Sequence, residues 1–328
     1  MKNPIKKFLS PEFKYVQKAK WYAIVPASII FIGLLVVLIF NFNLGLDFTG
    51  GRIVNVSGFE YTEREQVQNI IRTEMEREEI HGMHFQTETR VTGEVVMSVR
   101  FPIPEVFTDL NETEIAAIFT RIQGNINIAM DGAGLTGMIE IGESESLSAS
   151  ASTDRILNVV ISVSLALIGI LIYMLFRFKI NSGVAAIVGL MHDVLMMAAL
   201  VAIFQIQVNF IFIVAMITIV AYSLNNTLVL FDRIRQKERD KDSRMSTTQI
   251  VDQSIKETFI RQLATTVTTI VPVMILAILG VPLIREMAIP ILFGLFAGFF
   301  STLFIVSPLY VRFEDARKRR EKQKRSSQ

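Results

Sequence analysis

The sequence predicts a polytopic α-helical membrane protein with six transmembrane helices and an α+β domain between the first and second of them. Hydrophobic residues make up 51% of the 328 residues and the mean hydropathy is +0.44, which is typical of membrane proteins rather than soluble ones. Six apolar runs reach the roughly 20 residues that a helix needs to cross a bilayer. Basic residues gather on alternate links between these runs, as expected for a chain that crosses a membrane repeatedly.

The first apolar run is longer than a signal-peptide core and no clean small-residue cleavage site follows it, so we interpret it as a membrane span. Trp21 and Tyr22 would anchor this span at the membrane surface. Five further spans are predicted near 156–176, 181–204, 209–231, 263–283 and 287–310. The predicted regions are a cytoplasmic arm at 1–20, the first span at 21–42, an outer domain at 43–154, a block of five spans at 155–311 with a cytoplasmic loop at 232–261, and a basic cytoplasmic tail at 312–328.

The distribution of charge predicts the orientation in the cytoplasmic (inner or plasma) membrane. The arm, the links 177–179 and 232–261 and the tail together carry 24 basic residues, whereas the links 205–209 and 281–286 carry one. By the positive-inside rule, both termini are therefore expected to be cytoplasmic. The insert 43–154 has no lysine, seven arginines and nineteen acidic residues, a net charge of −12, and is expected to lie outside.

The insert is predicted to form a ferredoxin-like α+β domain, because its elements follow the order β-α-β-β-α-β. Thr62 with Glu65 predicts a capping box, Asn111 or Thr113 would cap a second helix, and Thr92-Gly93 predicts a hairpin turn. The predicted strands are 51–58, 85–91, 95–101 and 138–141, and the predicted helices are 62–79 and 114–123.

Asp193 lies inside the apolar third span, with His192 beside it. A carboxylate at the centre of a transmembrane helix costs about 2.5–3.5 kcal/mol even on insertion scales, so such residues usually mark an ion, proton or substrate path. Counting from Asn181, Asp193 lies about 18 Å into the span, close to the middle of the membrane. A His–Asp pair at that depth could take up and release a proton. The alternative is a structural hydrogen bond to a neighbouring helix.

Polar residues on the next two spans predict a seam that leads towards Asp193. They recur at helical spacing on one face of each span, in the half of the membrane nearer the cytoplasm. Ordinary polar packing between helices, worth only about 0.6 kcal/mol per contact, is the alternative. The residues of this predicted seam are Thr218, Tyr222, Asn225 and Asn226 in the fourth span and Thr265, Thr268 and Thr269 in the fifth.

Three other features have simpler interpretations. Arg233 ends the fourth span beside Asp232, where charged residues commonly anchor a helix, and we keep Arg233 as a secondary ion-coupling candidate. Gly294 and Gly298 permit close helix packing in the sixth span. The basic tail is most simply a contact with anionic lipid, and nothing in it indicates nucleic-acid binding.

The sequence argues against an enzyme. It has no cysteine, no Walker A loop and none of the common hydrolase motifs. His81 and His84 have no obvious third ligand, so a metal site is not expected there. We expect no cofactor, and only H⁺ or Na⁺ as a coupling ion.

Three stretches in order resemble the SecF family of protein-export membrane subunits, which work with SecD. They are Leu44–Gly51 (LGLDFTGG) after the first span, Leu190–Val194 (LMHDV) in the third, and Tyr222–Arg235 in the fourth. The similarity extends over essentially the whole chain, including six spans and one outer domain. The outer domain of SecD is much larger, so an insert of roughly 110 residues favours SecF.

The resemblance implies an accessory role in Sec-dependent export, in a twelve-helix unit with SecD that is similar to transporters of the RND (resistance–nodulation–division) superfamily. On this interpretation the chain is an RND-like half-unit. The pair is thought to use the proton or sodium gradient to move its outer domains and to help release the translocating chain. The implied partners are SecD, the SecYEG channel, YajC, SecA, the unfolded polypeptide and membrane lipid, with no nucleic acid.

The resemblance also assigns roles by motif. Asp193 matches the intramembrane aspartate tied to ion coupling, Arg233 the arginine at the end of the fourth span, and Asn225 the asparagine of the usual Asn-Asp pair. Asn226 departs from the family, which commonly has aspartate there, so this chain lacks one titratable group and the coupling depends on Asp193 or on SecD. The motif after the first span contributes Gly45, Asp47, Gly50 and Gly51.

Two other functions remain open at the level of sequence. An RND-type subunit that exports small solutes or drugs would also be membrane-embedded, although such exporters usually carry two large outer loops in one long chain. A purely structural scaffold predicts that substitution of Asp193 has no effect wherever the protein assembles.

Overall fold

Six helices in the described part of the chain are long and apolar enough to cross a membrane, which confirms the predicted fold class. The computed structural model describes residues 14–49, 51–89, 95–102, 107, 110–135, 149–239 and 245–326. The six spans are Tyr15–Phe40, Leu157–Met174, Ile180–Ile203, Phe210–Arg239, Thr247–Leu279 and Ile284–Ser326. The chain divides into two compact units, a helical unit of Met1–Asn43 with Ser162–Gln328 and an α/β unit of Leu44–Ile161.

Each of the six spans contains a window of 18 residues that is predominantly apolar, as expected for helices that contact lipid or other helices on every side. The spans Ile180–Ile203 and Ile284–Ser326 are the most buried, whereas Tyr15–Phe40 and Leu157–Met174 bury little of their surface within this chain. The helices are α1 (Tyr15–Tyr22), α2 (Ile24–Phe40), α6 (Ala149–Arg177), α7 (Ile180–Ile203), α8 (Phe210–Arg239), α9 (Thr247–Leu279), α10 (Pro282–Ser301) and α11 (Ser307–Ser326).

Helix α10 is the centre of this unit, since it packs against α7, α8 and α9, and α2 packs against α7. A π-helical turn, Thr302–Val306, joins α10 to α11. Such turns insert an extra residue into a helix and occur frequently at functional sites. The turn also contacts α1, α7 and α8, so the centre of the bundle lies where α7, α8 and α10 meet.

Several helices extend beyond the predicted spans. Helix α8 continues to Arg239, and α9 begins at Thr247, where Ser246 and Gln249 form a capping box. The predicted loop 232–261 is therefore largely helical, and α11 carries the helix through most of the predicted basic tail. Lysine, arginine and glutamate are good helix formers, so these helices leave the apolar region without ending.

The α/β unit contains a three-stranded antiparallel sheet in the order β1-β3-β2 within its described residues. Val54 pairs with Val99 in the first ladder, and Phe85 pairs with Val99 in the second. This arrangement fits the predicted outer α+β domain, while the predicted strand 138–141 and the turn Thr92-Gly93 lie outside the described residues. The elements are α3 (Leu46–Thr49), β1 (Arg52–Ser57), a 3-10 turn (Tyr61–Glu63), α4 (Arg64–Glu76), β2 (His84–Thr89), β3 (Val95–Phe101) and α5 (Glu112–Gly132).

One predicted helix cap in this unit is confirmed and one is wrong. Asn111 and Glu114 form the capping box of α5, with Asn111 Oδ1 accepting from the Glu114 amide at 2.9 Å. The expected box of Thr62 and Glu65 is instead made two residues earlier by Glu60 and Glu63, because a 3-10 turn precedes α4. Helix α5 also runs beyond the predicted 114–123, to Gly132.

Candidate ion-coupling site

Asp193 lies on α7 at the centre of the helical unit, and its side chain is fully buried. Ser301 Oγ of α10 donates to Asp193 Oδ2 at 2.9 Å, and Ser223 Oγ of α8 donates to the same oxygen. Within the described residues, no lysine or arginine pairs with this carboxylate. The carboxylate is therefore held by neutral hydroxyl groups from two other helices.

His192 contacts the other oxygen of the same carboxylate. Its Nδ1 lies 3.0 Å from Asp193 Oδ1, and the direction of this hydrogen bond depends on the tautomer of the imidazole. The Nε2 atom of His192 is buried and has no hydrogen-bond partner in the described part of the chain. The predicted His–Asp pair is thus formed, although the two side chains leave the helix about 100° apart.

Two glycines of α10 allow the close approach that builds this site. A Cβ atom added to Gly298 would lie 3.0 Å from Ser223 Cβ, and one added to Gly294 would lie 2.5 Å from an Ile219 side-chain carbon. Larger residues at these positions would push α8 away from α10. The prediction that Gly294 and Gly298 serve close packing is confirmed, and this packing brings Ser223 to Asp193.

The predicted seam is not brought together with Asp193. Thr218 and Asn225 are exposed on α8, and Thr218 donates only to the Val214 carbonyl of its own helix. Tyr222 donates to Thr266 Oγ1 of α9 at 3.2 Å. The hydroxyls of the three predicted threonines on α9 bond carbonyls of that helix, and these residues are Thr265, Thr268 and Thr269.

A different polar stripe occupies the buried side of α9. Its four members recur every four residues, so they lie on one face of the helix, and each is at least nine-tenths buried. Gln262 Nε2 donates to the Asn226 carbonyl oxygen at 3.4 Å, while Gln262 Oε1 and Asn226 Nδ2 are buried without a partner in the described residues. The members of this α9 stripe are Ser254, Thr258, Gln262 and Thr266.

The end of α8, the start of α9 and most of α11 carry many charged residues, and we call this part of the helical unit its charged end. Arg233 lies there, away from Asp193. It follows Ser223 by ten residues on α8, which corresponds to about 15 Å along the helix. Arg233 pairs with Glu257 of α9 and donates to Gln236 Oε1 at 2.8 Å, and Lys237 also pairs with Glu257. Arg233 therefore joins α8 to α9 and makes no contact with the buried carboxylate of Asp193.

The motif after the first span belongs to the α/β unit. The Gly45 carbonyl accepts from the Phe48 amide at 2.9 Å, which closes the short helix α3, and Asp47 lies in its first turn. Gly51 precedes β1 with a φ of 155°, a conformation that glycine adopts readily, and Gly50 lies outside the described residues. The described part of this motif therefore forms α3 and leads into β1.

No group of three or more metal-binding side chains occurs in the described residues. The residues that sequence reasoning missed are Ser223, Ser301 and the α9 stripe. A serine in a membrane helix usually bonds its own backbone, so its type alone gives no signal. The only signal in the sequence is indirect: Ser301 lies three residues after Gly298, at the end of the glycine motif that brings α10 against α8.

A known family model matches the part of the chain that contains this site. The family model described as "Protein export membrane protein SecD/SecF, C-terminal" matches residues 130–316, more than half of the chain. The chain belongs to the SecD/SecF family. The matched region includes Asp193, Ser223 and Ser301, so the whole candidate site lies within the part that the SecD/SecF model describes.

Curated SecD/SecF relatives align over most of the chain. The protein translocase subunit SecF of Haemophilus influenzae is 30% identical over 294 residues, which is 90% of this chain and 83% of that protein. SecF of Helicobacter pylori strain J99 is 26% identical over 89% of this chain and 84% of that protein. SecDF of Thermus thermophilus is 27% identical over 96% of this chain but only 40% of that longer protein.

The solved structures of SecDF have the same fold. The crystal structure of Thermus SecDF, described as a translocon-associated membrane protein, has a TM-score of 0.71 at 26% identity and covers 94% of this chain. A SecDF structure in a super-membrane-facing form has a TM-score of 0.64 at 25% identity. This chain corresponds to about 39–40% of each SecDF chain. Some members of the family therefore carry a SecF-like part within a longer SecDF polypeptide, which supports association of this chain with SecD.

Proposed function

We propose that the chain is an accessory subunit of the Sec protein translocase that works with SecD and couples a transmembrane ion gradient to late steps of polypeptide export. Membership of the SecD/SecF family and the SecF relatives support the accessory role. The coupling rests on one observation. Asp193 is fully buried at the meeting point of three helices, where two serine hydroxyls and His192 bond it and no described lysine or arginine does.

The geometry suggests how a proton would act on the bundle. An ionised Asp193 accepts hydrogen bonds from Ser223 and Ser301, whereas a protonated carboxyl must itself donate one. A proton on Oδ1 can be donated to His192 Nδ1, and both serines can then still donate to Oδ2. A proton on Oδ2 requires one serine hydroxyl to turn and accept it. Because the three residues lie on α7, α8 and α10, the protonation state of Asp193 changes the bonding between these helices. Changes in hydrogen bonding have a larger energetic effect in a buried site, where the effective dielectric constant is low.

The α9 stripe supplies polar groups between this site and the charged end of the bundle. It begins at Ser254, two turns into α9, and ends at Thr266, which bonds Tyr222 next to Ser223. From Ser254 to Thr266 is about 18 Å along the helix. Buried donors and acceptors with incomplete partners, such as Asn226 Nδ2 and Gln262 Oε1, are suited to conduct a proton or hydrated ion.

We also propose the membrane orientation and the partners of the protein. Both termini lie in the cytoplasm, the α/β unit lies outside the cytoplasmic membrane, and the chain forms a heterodimer with SecD that contacts SecYEG, YajC, SecA, the unfolded polypeptide and lipid. It has no enzymatic activity, cofactor or nucleic-acid partner, and the coupling ion is H⁺ or Na⁺. The charge distribution of the sequence supports the orientation.

Asp193→Asn tests the coupling directly. Asparagine keeps the size of the side chain and can still accept from the two serines, but it cannot titrate. In membrane vesicles that contain the chain and SecD, we expect export to fall to the level seen without an ion gradient. Vesicles with a proton gradient alone and a sodium gradient alone distinguish the two ions.

Asp232→Asn is the matched control, because Asp232 is a carboxylate at the end of the same bundle and pairs with Arg177 at 3.1 Å. This variant should keep its gradient-dependent export. Unchanged gradient dependence in Asp193→Asn, with normal assembly, would contradict the coupling. If the purified chain is recovered without SecD and SecYEG and extrudes a dye, it is an exporter subunit instead.

The absence of cysteine from the chain makes the orientation easy to measure. Glu60→Cys places a single thiol on the exposed surface of the α/β unit, and Met245→Cys places one before α9, where Met245 is 45% exposed. A membrane-impermeant maleimide added to intact cells should label the first and spare the second until the membrane is opened. The reverse pattern would show that the orientation is inverted.

A further inference from the structure

The charged end of the helical unit contains a basic cavity that the proposed function does not use. The cavity has a volume of about 410 Å³, within the range of about 300–1,000 Å³ that is usual for small-molecule sites. Arg177 contributes from the last turn of α6, Lys179 from the link between α6 and α7, and Arg235 and Arg239 from α8. Phe178 provides part of the apolar wall.

The acidic groups near this cavity are already compensated. Glu238 accepts from Lys179 Nζ at 2.8 Å and from the Tyr310 hydroxyl at 2.7 Å, and Asp232 pairs with Arg177. Arg235 and Arg239 are one turn apart on α8, and neither has an acidic partner among the described residues. Because no described carboxylate pairs with these two arginines, their positive charges at the cavity favour an anionic ligand.

An apolar crevice lies between α6, α7 and α8, nearer the middle of the bundle. It has a volume of about 300 Å³ and only apolar side chains line it, among them Ala166 and Ile170 of α6, Leu190 of α7, and Met216 and Val220 of α8. Helix α6 buries little of its surface within this chain, so the crevice has one wall that packs loosely.

The spacing of the cavity and the crevice matches one lipid molecule. Ile170 precedes Arg177 by seven residues on α6, and Val220 precedes Phe231 by eleven residues on α8, which correspond to about 10 and 16 Å along the helices. One leaflet contributes half of the roughly 30 Å hydrocarbon core, about 15 Å. An acyl chain in the crevice therefore places its headgroup at the level of the basic cavity.

We propose that this cavity and crevice together bind one anionic phospholipid, with its phosphate beside Arg235 and Arg239 and an acyl chain between α6, α7 and α8. Charge complementarity selects an anionic headgroup, because the uncompensated charges are both positive. The apolar crevice selects a lipid over a soluble phosphate. The bound lipid occupies the space between α6 and its neighbours and stabilises the packing of α6 against α7 and α8.

Native mass spectrometry of the full chain tests the site, with equal amounts of phosphatidylglycerol and phosphatidylcholine added in neutral detergent. The wild-type chain should retain one phosphatidylglycerol in preference to phosphatidylcholine. Arg235→Gln with Arg239→Gln should weaken that preference about 25-fold, since each basic residue near a membrane surface adds about a factor of five. Arg319→Gln with Lys322→Gln, which removes two exposed charges from α11, is the matched control and should leave the preference unchanged.

Two further measurements separate a lipid from a soluble anion. Ala166→Trp fills the crevice and should weaken retention of phosphatidylglycerol, while inorganic phosphate should not displace the lipid. Size-exclusion chromatography checks that each variant is folded. The proposal is overturned if the cavity variant keeps the wild-type preference, if the α11 control loses it equally, or if phosphate displaces the lipid and Ala166→Trp has no effect.

Discussion

The interior of the helical unit and its charged end each hold a buried carboxylate, but the two are compensated in opposite ways. Asp193, in the interior, is bonded by two serine hydroxyls and a histidine. Glu314 of α11, at the charged end, is only 1% exposed, and Arg317 and Asn181 bond it. Both are removed from water, yet only Glu314 has a permanent positive charge beside it.

This difference separates a structural carboxylate from one whose charge can change. An arginine stays protonated at all physiological pH values, so it fixes Glu314 in the ionised form. A hydroxyl can both donate and accept, so Ser223 and Ser301 can satisfy Asp193 in either protonation state. The charged end holds the helices together, whereas the interior site is suited to switch. Four substitutions test this contrast, from the largest expected effect to the smallest.

Gly294→Ala should have the largest effect on stability, because its Cβ atom would lie 2.5 Å from Ile219. Overpacking of this kind costs about 1–3 kcal/mol, and we expect the upper part of that range since backbone atoms must move. Thermal unfolding of the purified chain in detergent measures the loss. Gly169→Ala on α6 is the control, because nothing lies within 4 Å of its added Cβ. Alanine favours helices, so a strong destabilisation of this control would contradict the packing argument.

Ser301→Ala should cost about 2 kcal/mol, because it removes a hydrogen bond to a buried charged group. It should also shift the gradient dependence of export, since it changes the bonding of Asp193. Ser28→Ala is the matched control, as the exposed Ser28 hydroxyl bonds only its own Ile24 carbonyl at 2.9 Å. If both variants behave alike in export vesicles, the hydroxyl of Ser301 has no part in coupling.

Glu314→Gln should cost about 1 kcal/mol, because glutamine can still accept from Asn181 but loses the charge that Arg317 compensates. Gradient-dependent export should be unchanged in this variant. Glu321→Gln, at a pair whose glutamate side chain is 54% exposed, should have almost no effect on thermal unfolding. A loss of coupling in Glu314→Gln would mean that the charged end switches as well.

The sequence was sufficient to predict the fold class and the position of Asp193 within a membrane span, because both depend on local composition. Apolar runs of about 20 residues define spans, and one carboxylate within such a run is conspicuous. The extensions of α8, α9 and α11 were not predicted, since charged helices outside the membrane look like loops when only hydropathy is considered. The Ser246 and Gln249 capping box was a readable signal for the start of α9.

The partners of Asp193 could not be predicted, because they depend on how each helix is rotated about its axis. On α8 the periodic pattern favoured the face of Thr218 and Asn225, yet the buried face carries Ile219, Ser223 and Asn226. Contact with the glycines of α10 decides this rotation. Such contacts join residues far apart in sequence, and polar spacing along one helix does not reveal them.

Arg233→Gln should have the smallest effect on stability. The Arg233 side chain is 40% exposed and that of Glu257 is 31% exposed, and pairs of this kind contribute about 0.2–1 kcal/mol. A double-mutant cycle with Glu257→Gln measures the coupling energy of the pair by thermal unfolding. If the pair only joins α8 to α9, both single variants should keep gradient-dependent export to the same degree. If Arg233→Gln alone loses it, the arginine acts on the ion path independently of Glu257, and the contrast between a switching interior and a fixed charged end no longer holds.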